Sequence, residues 1–158
     1  MSTKTLLISF AALLLGVSLS RAAENLAAIP SSGPTTPTGW YDDYDLALKA
    51  AQTAQKKLYI LFTGSDWCGW CKKLKADVLD TNSFKEFAAG KLILLYIDLP
   101  SPKVKMTEEL RKSNQKLAEK FRVRGYPTSV LLDAQGEEIS KISGAPADYL
   151  DRLKKAAE

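Results

Sequence analysis

From Trp40 onward, the apolar and polar positions change period several times along the chain. Leu46, Ala47, Ala50, Ala51 and Ala54 recur at helical spacing and predict an amphipathic helix over about 43–56. Leu58 to Thr63 is a short apolar run with β-branched and aromatic members, the pattern of a buried strand. Gly64-Ser65-Asp66 ends it, and Asp66 is the expected cap of a helix beginning near Trp67 or Cys68. A second short helical piece is expected around 83–89. Lys91 to Leu99 holds Leu-Ile-Leu-Leu-Tyr-Ile nearly unbroken, which predicts a central strand covered on both faces. After the breaks at Pro100 and Pro102, Leu110, Leu117, Ala118 and Phe121 place one apolar stripe on a helix over about 107–121. Ser129–Asp133 and Glu137–Ser143 read as a hairpin turning at Ala134-Gln135-Gly136, and Tyr149, Leu150 and Leu153 mark a last helix. The order αβαβαββα predicts an α/β fold: a central mixed β-sheet flanked by helices on both faces. No internal repeat is visible.

The first 39 residues do not join this alternation. Lys4 is a short positive region, Thr5–Ser20 is apolar and uncharged, and Ser20-Arg21-Ala22 has small residues at the −3 and −1 positions of a signal-peptidase site. An apolar run of about 16 residues is shorter than the ~20 that span a bilayer. Residues 1–22 are therefore expected to be a cleaved signal peptide rather than an anchor. Residues 23–39 are expected to be a linker; from Pro30 to Gly39 only Pro, Ser, Thr and Gly occur, which predicts a solvated, extended stretch. The folded domain is expected over 40–158, about 119 residues, enough for one core without stapling.

Composition narrows the chemistry sharply. The chain has 158 residues, two cysteines and no histidine. A His-ligated zinc, a Ser-His triad, a Cys-His pair and a His-held haem are thereby excluded. The formal charge of +4 falls to +2 when removal of 1–22 takes away Lys4 and Arg21 and no acid. So small a balance argues against nucleic acid or an anionic membrane surface as partner. An exported chain, periplasmic or secreted, also meets an oxidising compartment in which a cysteine pair can be a disulfide.

The two cysteines, Cys68-Gly69-Trp70-Cys71, fall where a strand hands over to a helix. Three-residue spacing on a helix puts both side chains on one face, roughly 5–6 Å apart at Cβ. A small adjustment brings them to the ~3.5–4.5 Å of a disulfide, so the pair can cycle without refolding. Cys68 at a helix amino terminus, with Lys72, Lys73 and Lys75 near, favours thiolate, the nucleophilic form. The alternatives are an inert disulfide closing a four-residue loop, which stabilises little, and a metal site, for which two Cys supply too few ligands.

Taken together, these residues resemble the thioredoxin superfamily in its exported branch, from about Trp40 to the carboxyl terminus. The resemblance rests on Trp67-Cys68-Gly69-Trp70-Cys71-Lys72, Tyr96-Ile97-Asp98, Arg124-Gly125-Tyr126-Pro127-Thr128, and the glycines Gly136 and Gly144. It implies a thioredoxin fold in which Cys68 attacks a substrate disulfide and Cys71 resolves the mixed disulfide. It also implies that Pro127 is a cis-proline beside the cysteines whose flanking backbone pairs with substrate, and that Tyr126 touches substrate. Trp67 reads mainly as a packing residue and Trp70 as an exposed docking face. Two features depart from the family. Tyr59-Ile60-Leu61-Phe62-Thr63 lacks the buried acid that helps deprotonate the second cysteine, and Leu92-Ile93-Leu94-Leu95 lacks its lysine partner. A proton from Cys71 then goes to water, Asp66 or another group. The segment 99–116 is also about a dozen residues longer than in a minimal thioredoxin and basic around Lys103 and Lys105, which reads as a solvated face, with a partner-binding surface as the alternative.

The resulting expectation is an exported thiol–disulfide oxidoreductase acting on protein disulfides through Cys68 and Cys71, with no cofactor or metal. It is expected to be monomeric and, if reductive, to draw electrons from a membrane thiol donor. The alternative is a non-catalytic thioredoxin-fold binding module with a locked disulfide. Gly69-Trp70 leaves the direction of transfer open, with a lean towards reductase.

Overall fold

The computed structural model describes residues 33–158; the expected signal peptide and residues 23–32 of the expected linker lie outside them. Among the described residues there are five α-helices and four strands: α1 (Tyr44–Ala54), β1 (Lys57–Thr63), α2 (Gly69–Leu74), α3 (Asn82–Lys91), β2 (Leu92–Asp98), α4 (Glu108–Lys120), β3 (Thr128–Leu132), β4 (Glu138–Ser143) and α5 (Tyr149–Ala156). A π-helical turn, Lys75–Leu79, carries α2 towards α3. The helices begin where short polar side chains can take up free N–H groups: Asp43, Thr81 and Thr107 accept from the third residue after each.

The sheet order is β2-β1-β3-β4. β1 pairs in parallel with β2 and antiparallel with β3, and β3–β4 is the antiparallel hairpin, so the sheet is mixed as the element order predicts. Alternation along β1 assigns its two faces. Tyr59 and Leu61 meet Phe84 of α3, Leu74 of α2 and Tyr149 of α5, while Leu58, Ile60 and Phe62 meet Ala47 and Ala51 of α1 and Ala118 of α4. Helices thus cover both faces.

The expectation that 91–99 is central fails. β2 is an outer strand, and its free edge is closed by Tyr41, whose N–H donates to Leu94 O and whose carbonyl accepts from Tyr96 N–H, both at 2.8 Å. An unbroken apolar run reports coverage of both faces, and carries no information about lateral position.

The expectation of a solvated stretch through Gly39 also fails from Gly33 onward. Gly33 N–H donates to the Asp42 carboxylate, and the Thr35 hydroxyl donates to Asp98 Oδ2 at 2.6 Å. Residues 33–39 form a strap across one end of the sheet, at the end where β1 delivers the cysteines.

Candidate active site

The strand β1 ends at Thr63, and four residues later the chain reaches the cysteines. Cys68 and Cys71 form a disulfide, with Cα atoms 5.2 Å apart. Cys68, not Asp66, is the N-cap of α2: its Sγ accepts the Cys71 N–H at 3.2 Å. The backbone there is extended, which aims the Cys68 side chain back over the first turn. An N–H that already points at Cys68 Sγ also stabilises a thiolate on that atom. Both cysteines are largely buried.

Asp66 has a different task from the cap expected of it. Its carboxylate accepts from Ser101 N–H at 3.0 Å and from the Ser101 hydroxyl, pinning the loop that follows β2 to the loop that carries Cys68. Those hydrogen bonds hold its carboxyl below the usual carboxylate range. Of the three lysines expected to raise the local positive potential, Lys73 pairs with Asp77 and Lys75 with Asp80. Lys72 remains beside the cysteines, its ammonium on Asp66 O at 2.7 Å.

The aromatic residues around the pair divide as follows. Trp70 is 63% exposed between the cysteines. Trp67, expected mainly to pack, is half exposed: its indole N–H donates to Leu99 O at 2.9 Å and its ring stands edge-on to Tyr126, with centroids 5.6 Å apart. Gly64 makes that position available, because a Cβ there would come within 2.3 Å of the indole. The Tyr126–Pro127 peptide bond is cis. Pro127 is buried, its carbonyl accepts Gly144 N–H, and Tyr126 is half-buried, which pushes its phenol pKa up. Tyr126, adjoining Pro127, is therefore in ring contact with Trp67, adjoining Cys68.

Behind Cys71 lies a cavity of about 300 Å³. Its polar lining includes Thr35 from the strap, Thr63 from β1 and Ser65, together with Lys72 and the Lys75–Asp80 pair. The Ser65 N–H and hydroxyl both donate to the buried Asp98, at 2.9 and 2.6 Å, so Asp98 stands one hydrogen bond behind the cavity wall. The side-chain amide of Asn114 on α4 donates to the backbone carbonyl of Asp98, fixing the same corner from the other side. Asp66 is not part of this lining. Among the described residues no cluster of three or more Cys, Asp or Glu groups is placed to hold a metal ion.

Sequence reasoning undervalued Asp98, Ser65, Thr35 and Gly64. A signal for the first was present: an acid closing an apolar, two-face-covered strand must find donors inside the fold.

A mixed sheet with helices on both faces and a Cys-x-x-Cys disulfide at the strand-to-helix corner together define a protein of thioredoxin fold. Residues 44–157 match the family of the thioredoxin-like domain, and the chain belongs to that family. The disulfide bond reductase DsbH of Chlamydia pneumoniae is 34% identical over 119 residues, 73% of this chain and 71% of that protein. The solved structure of a DsbH oxidoreductase superposes with a TM-score of 0.66 at 32% identity, covering 86% of this chain and 94% of its own. A thioredoxin from Thermus thermophilus shares the fold, with a TM-score of 0.59 at 24% identity over 73% of this chain and 84% of its own.

Proposed function

We propose that this protein is an exported thiol–disulfide oxidoreductase that reduces disulfides in other proteins. The observation that carries the reading is the Cys71 N–H held on Cys68 Sγ at the start of α2, with Trp67, the residue before Cys68, in ring contact with Tyr126. The reductive direction and the export are supported by similarity to a disulfide bond reductase and by the pattern of residues 1–22.

In the reduced protein, Cys68 thiolate attacks one sulfur of a substrate disulfide; the Cys68–substrate bond forms as the substrate S–S bond breaks, and the other substrate sulfur leaves as thiolate. Cys71 then loses its proton and attacks Cys68 Sγ, releasing the second substrate thiolate and leaving the Cys68–Cys71 disulfide. Two electrons pass from the protein to the substrate. A dithiol donor returns them by the same exchange in reverse, and for an exported protein that donor is a membrane protein carrying thiol equivalents outward. The one carboxylate on the cavity lining, Asp80, is paired with Lys75 and so is a poor acceptor for the Cys71 proton. The hydroxyls of Thr35, Thr63 and Ser65 make it polar enough for water, which takes the Cys71 proton. Trp70 offers an apolar docking face, and the backbone at Tyr126 and Pro127 pairs with an extended substrate strand.

Turbidity from insulin reduced by dithiothreitol tests the reading. The protein accelerates it, Cys68→Ser abolishes the acceleration, and Cys71→Ser accumulates a mixed disulfide with substrate. A Cys68→Ser variant as active as the parent contradicts the assignment.

A further inference from the structure

The segment from Leu99 to Tyr126 carries eight basic and three acidic residues, a net +5, against +4 for the whole chain. The positive charge of this protein is therefore concentrated on one stretch, and that stretch ends at the active site.

A groove of about 300 Å³ opens beside Tyr126. Leu99, Val123 and Tyr126 give it an apolar floor, and Arg122, Arg124 and Glu119 stand on its rim. The groove shares the Tyr126 ring with the Trp67 contact, so it adjoins the side of the site on which Cys68 lies.

Use of arginine separates this rim from the rest of the surface. Among the described residues there are four arginines. Arg111 donates to the carbonyls of Pro100 and Val104, and Arg152 pairs with Asp148. Arg122 and Arg124 are exposed, and among the described residues neither guanidinium has a hydrogen-bond or ion-pair partner. Arg122 also sits at φ 50°, in the left-handed region, where the chain leaves α4 and its N–H closes onto Glu119 O. Glycine fills such a position with least strain. A long cationic side chain held there against the backbone preference points to a role for the side chain itself.

We infer that this groove receives an acidic stretch of the substrate polypeptide, with one or more Asp or Glu residues close in sequence to the cysteine that Cys68 attacks, and that Arg122 and Arg124 recognise them. The inference rests on the thiol–disulfide reading and specifies its substrate class. An extended chain advances about 3.3 Å per residue, so on a strand lying along Pro127 the residues that reach past Tyr126 to the groove are ones close in sequence to its cysteine. Guanidinium groups bind carboxylates in a forked, bidentate manner, and an apolar floor lowers the local dielectric and strengthens the pairing. Glu119 on the same rim repels an acidic chain, and so favours carboxylates that lie at the arginines rather than across the whole groove.

The test uses single-turnover reduction, by the reduced full-length mature protein, of disulfide peptides identical except for Glu-Glu, Gln-Gln or Lys-Lys three residues from the cysteine. The Glu-Glu peptide is expected to react about tenfold faster than Gln-Gln at low salt, and Lys-Lys slower than both. The Glu-to-Gln ratio falls towards one at about 0.5 M salt, where charge attraction is screened within a few ångströms. In the double variant Arg122→Gly, Arg124→Gln the ratio is also close to one; glycine relieves the left-handed backbone, so the fold is kept, as tryptophan emission will report. Equal rates for Glu-Glu and Gln-Gln in the parent overturn the inference, as does a ratio unchanged in the double variant. Failure to reduce any peptide, with neutral hydroxyethyl disulfide also untouched, overturns the thiol–disulfide reading itself and is thereby told apart.

Discussion

Ser65 gives Asp98 two hydrogen bonds, from its backbone N–H at 2.9 Å and from its hydroxyl at 2.6 Å. Thr35, 63 residues before Asp98 in sequence, adds a third. One buried carboxylate thus joins the end of β2, the loop leading to Cys68 and the strap from the amino-terminal side. Asp98→Ala leaves those donors without an acceptor. Hydrogen bonds to charged groups contribute about 1.5–3 kcal/mol each, so a loss of about 2–4 kcal/mol in urea unfolding is expected, allowing for relaxation of the exposed strap. Cleavage by protease within 33–39 should rise in the same variant. A change below about 0.5 kcal/mol would show that the cluster is held by something else.

Gly64 fixes the Trp67 indole. Because an added Cβ would lie 2.3 Å from that ring, Gly64→Ala drives the indole off Tyr126 and away from Leu99 O. Overpacking of this kind costs about 1–3 kcal/mol. A red shift in tryptophan emission and a lower unfolding midpoint are expected. The parent spectrum with unchanged stability would contradict the placement.

Asp66 carries an acid-pH signature. Hydrogen bonds from Ser101 lower its pKa in the folded state, so its contribution is present above the unfolded carboxylate value of about 4 and is lost as pH falls through the folded value. In Ser101→Ala the Asp66 titration, followed by NMR of its side-chain carboxyl carbon, should move upward. No movement would mean that Ser101 does not hold this carboxylate in solution.

Alkaline behaviour follows from the tyrosines. Burial is the main cause that pushes Tyr96 up to about 12, and burial also raises Tyr59 and Tyr149, which share a 2.6 Å hydroxyl contact. The unfolded chain releases these protons near pH 10 while the folded chain keeps them, so stability falls as pH rises above about 10. Tyrosinate absorbance should show Tyr96 unionised in the folded protein at pH 11, with Tyr59 and Tyr149 ionising later than in the unfolded chain, and all three ionised after urea is added. Simultaneous titration of all six tyrosines in the folded protein at pH 10 would contradict their burial.

Period and punctuation in the sequence were enough for the nine regular elements, because each helix or strand buries one repeating set of positions. Leu58-Tyr59-Ile60-Leu61-Phe62 could be read as a strand with two covered faces, and the structure gives it two. Lateral order is a different matter. Nothing in Leu92–Ile97 states that Tyr41, rather than another strand, closes its far edge. The site was legible at Cys68 and Cys71 because three-residue spacing at a strand-to-helix corner is local information. Asp66 misled because capping and loop-pinning call for the same residue type, and the partner that decides, Ser101, lies 35 residues away. Thr35 was hidden for the same reason: a Pro-, Ser- and Thr-rich stretch has no apolar face to announce that it packs, and it is held through hydroxyl and backbone contacts instead.

The central claim is that Cys68 and Cys71 form a cycling couple with reducing poise. Equilibrating the protein against glutathione and dithiothreitol buffers, with the redox state followed by tryptophan emission, measures that couple directly. The account predicts a reduction potential near that of thioredoxin, about −270 mV. A value between about −120 and −180 mV would contradict the reductive direction, and a pair that never exchanges would contradict the enzyme.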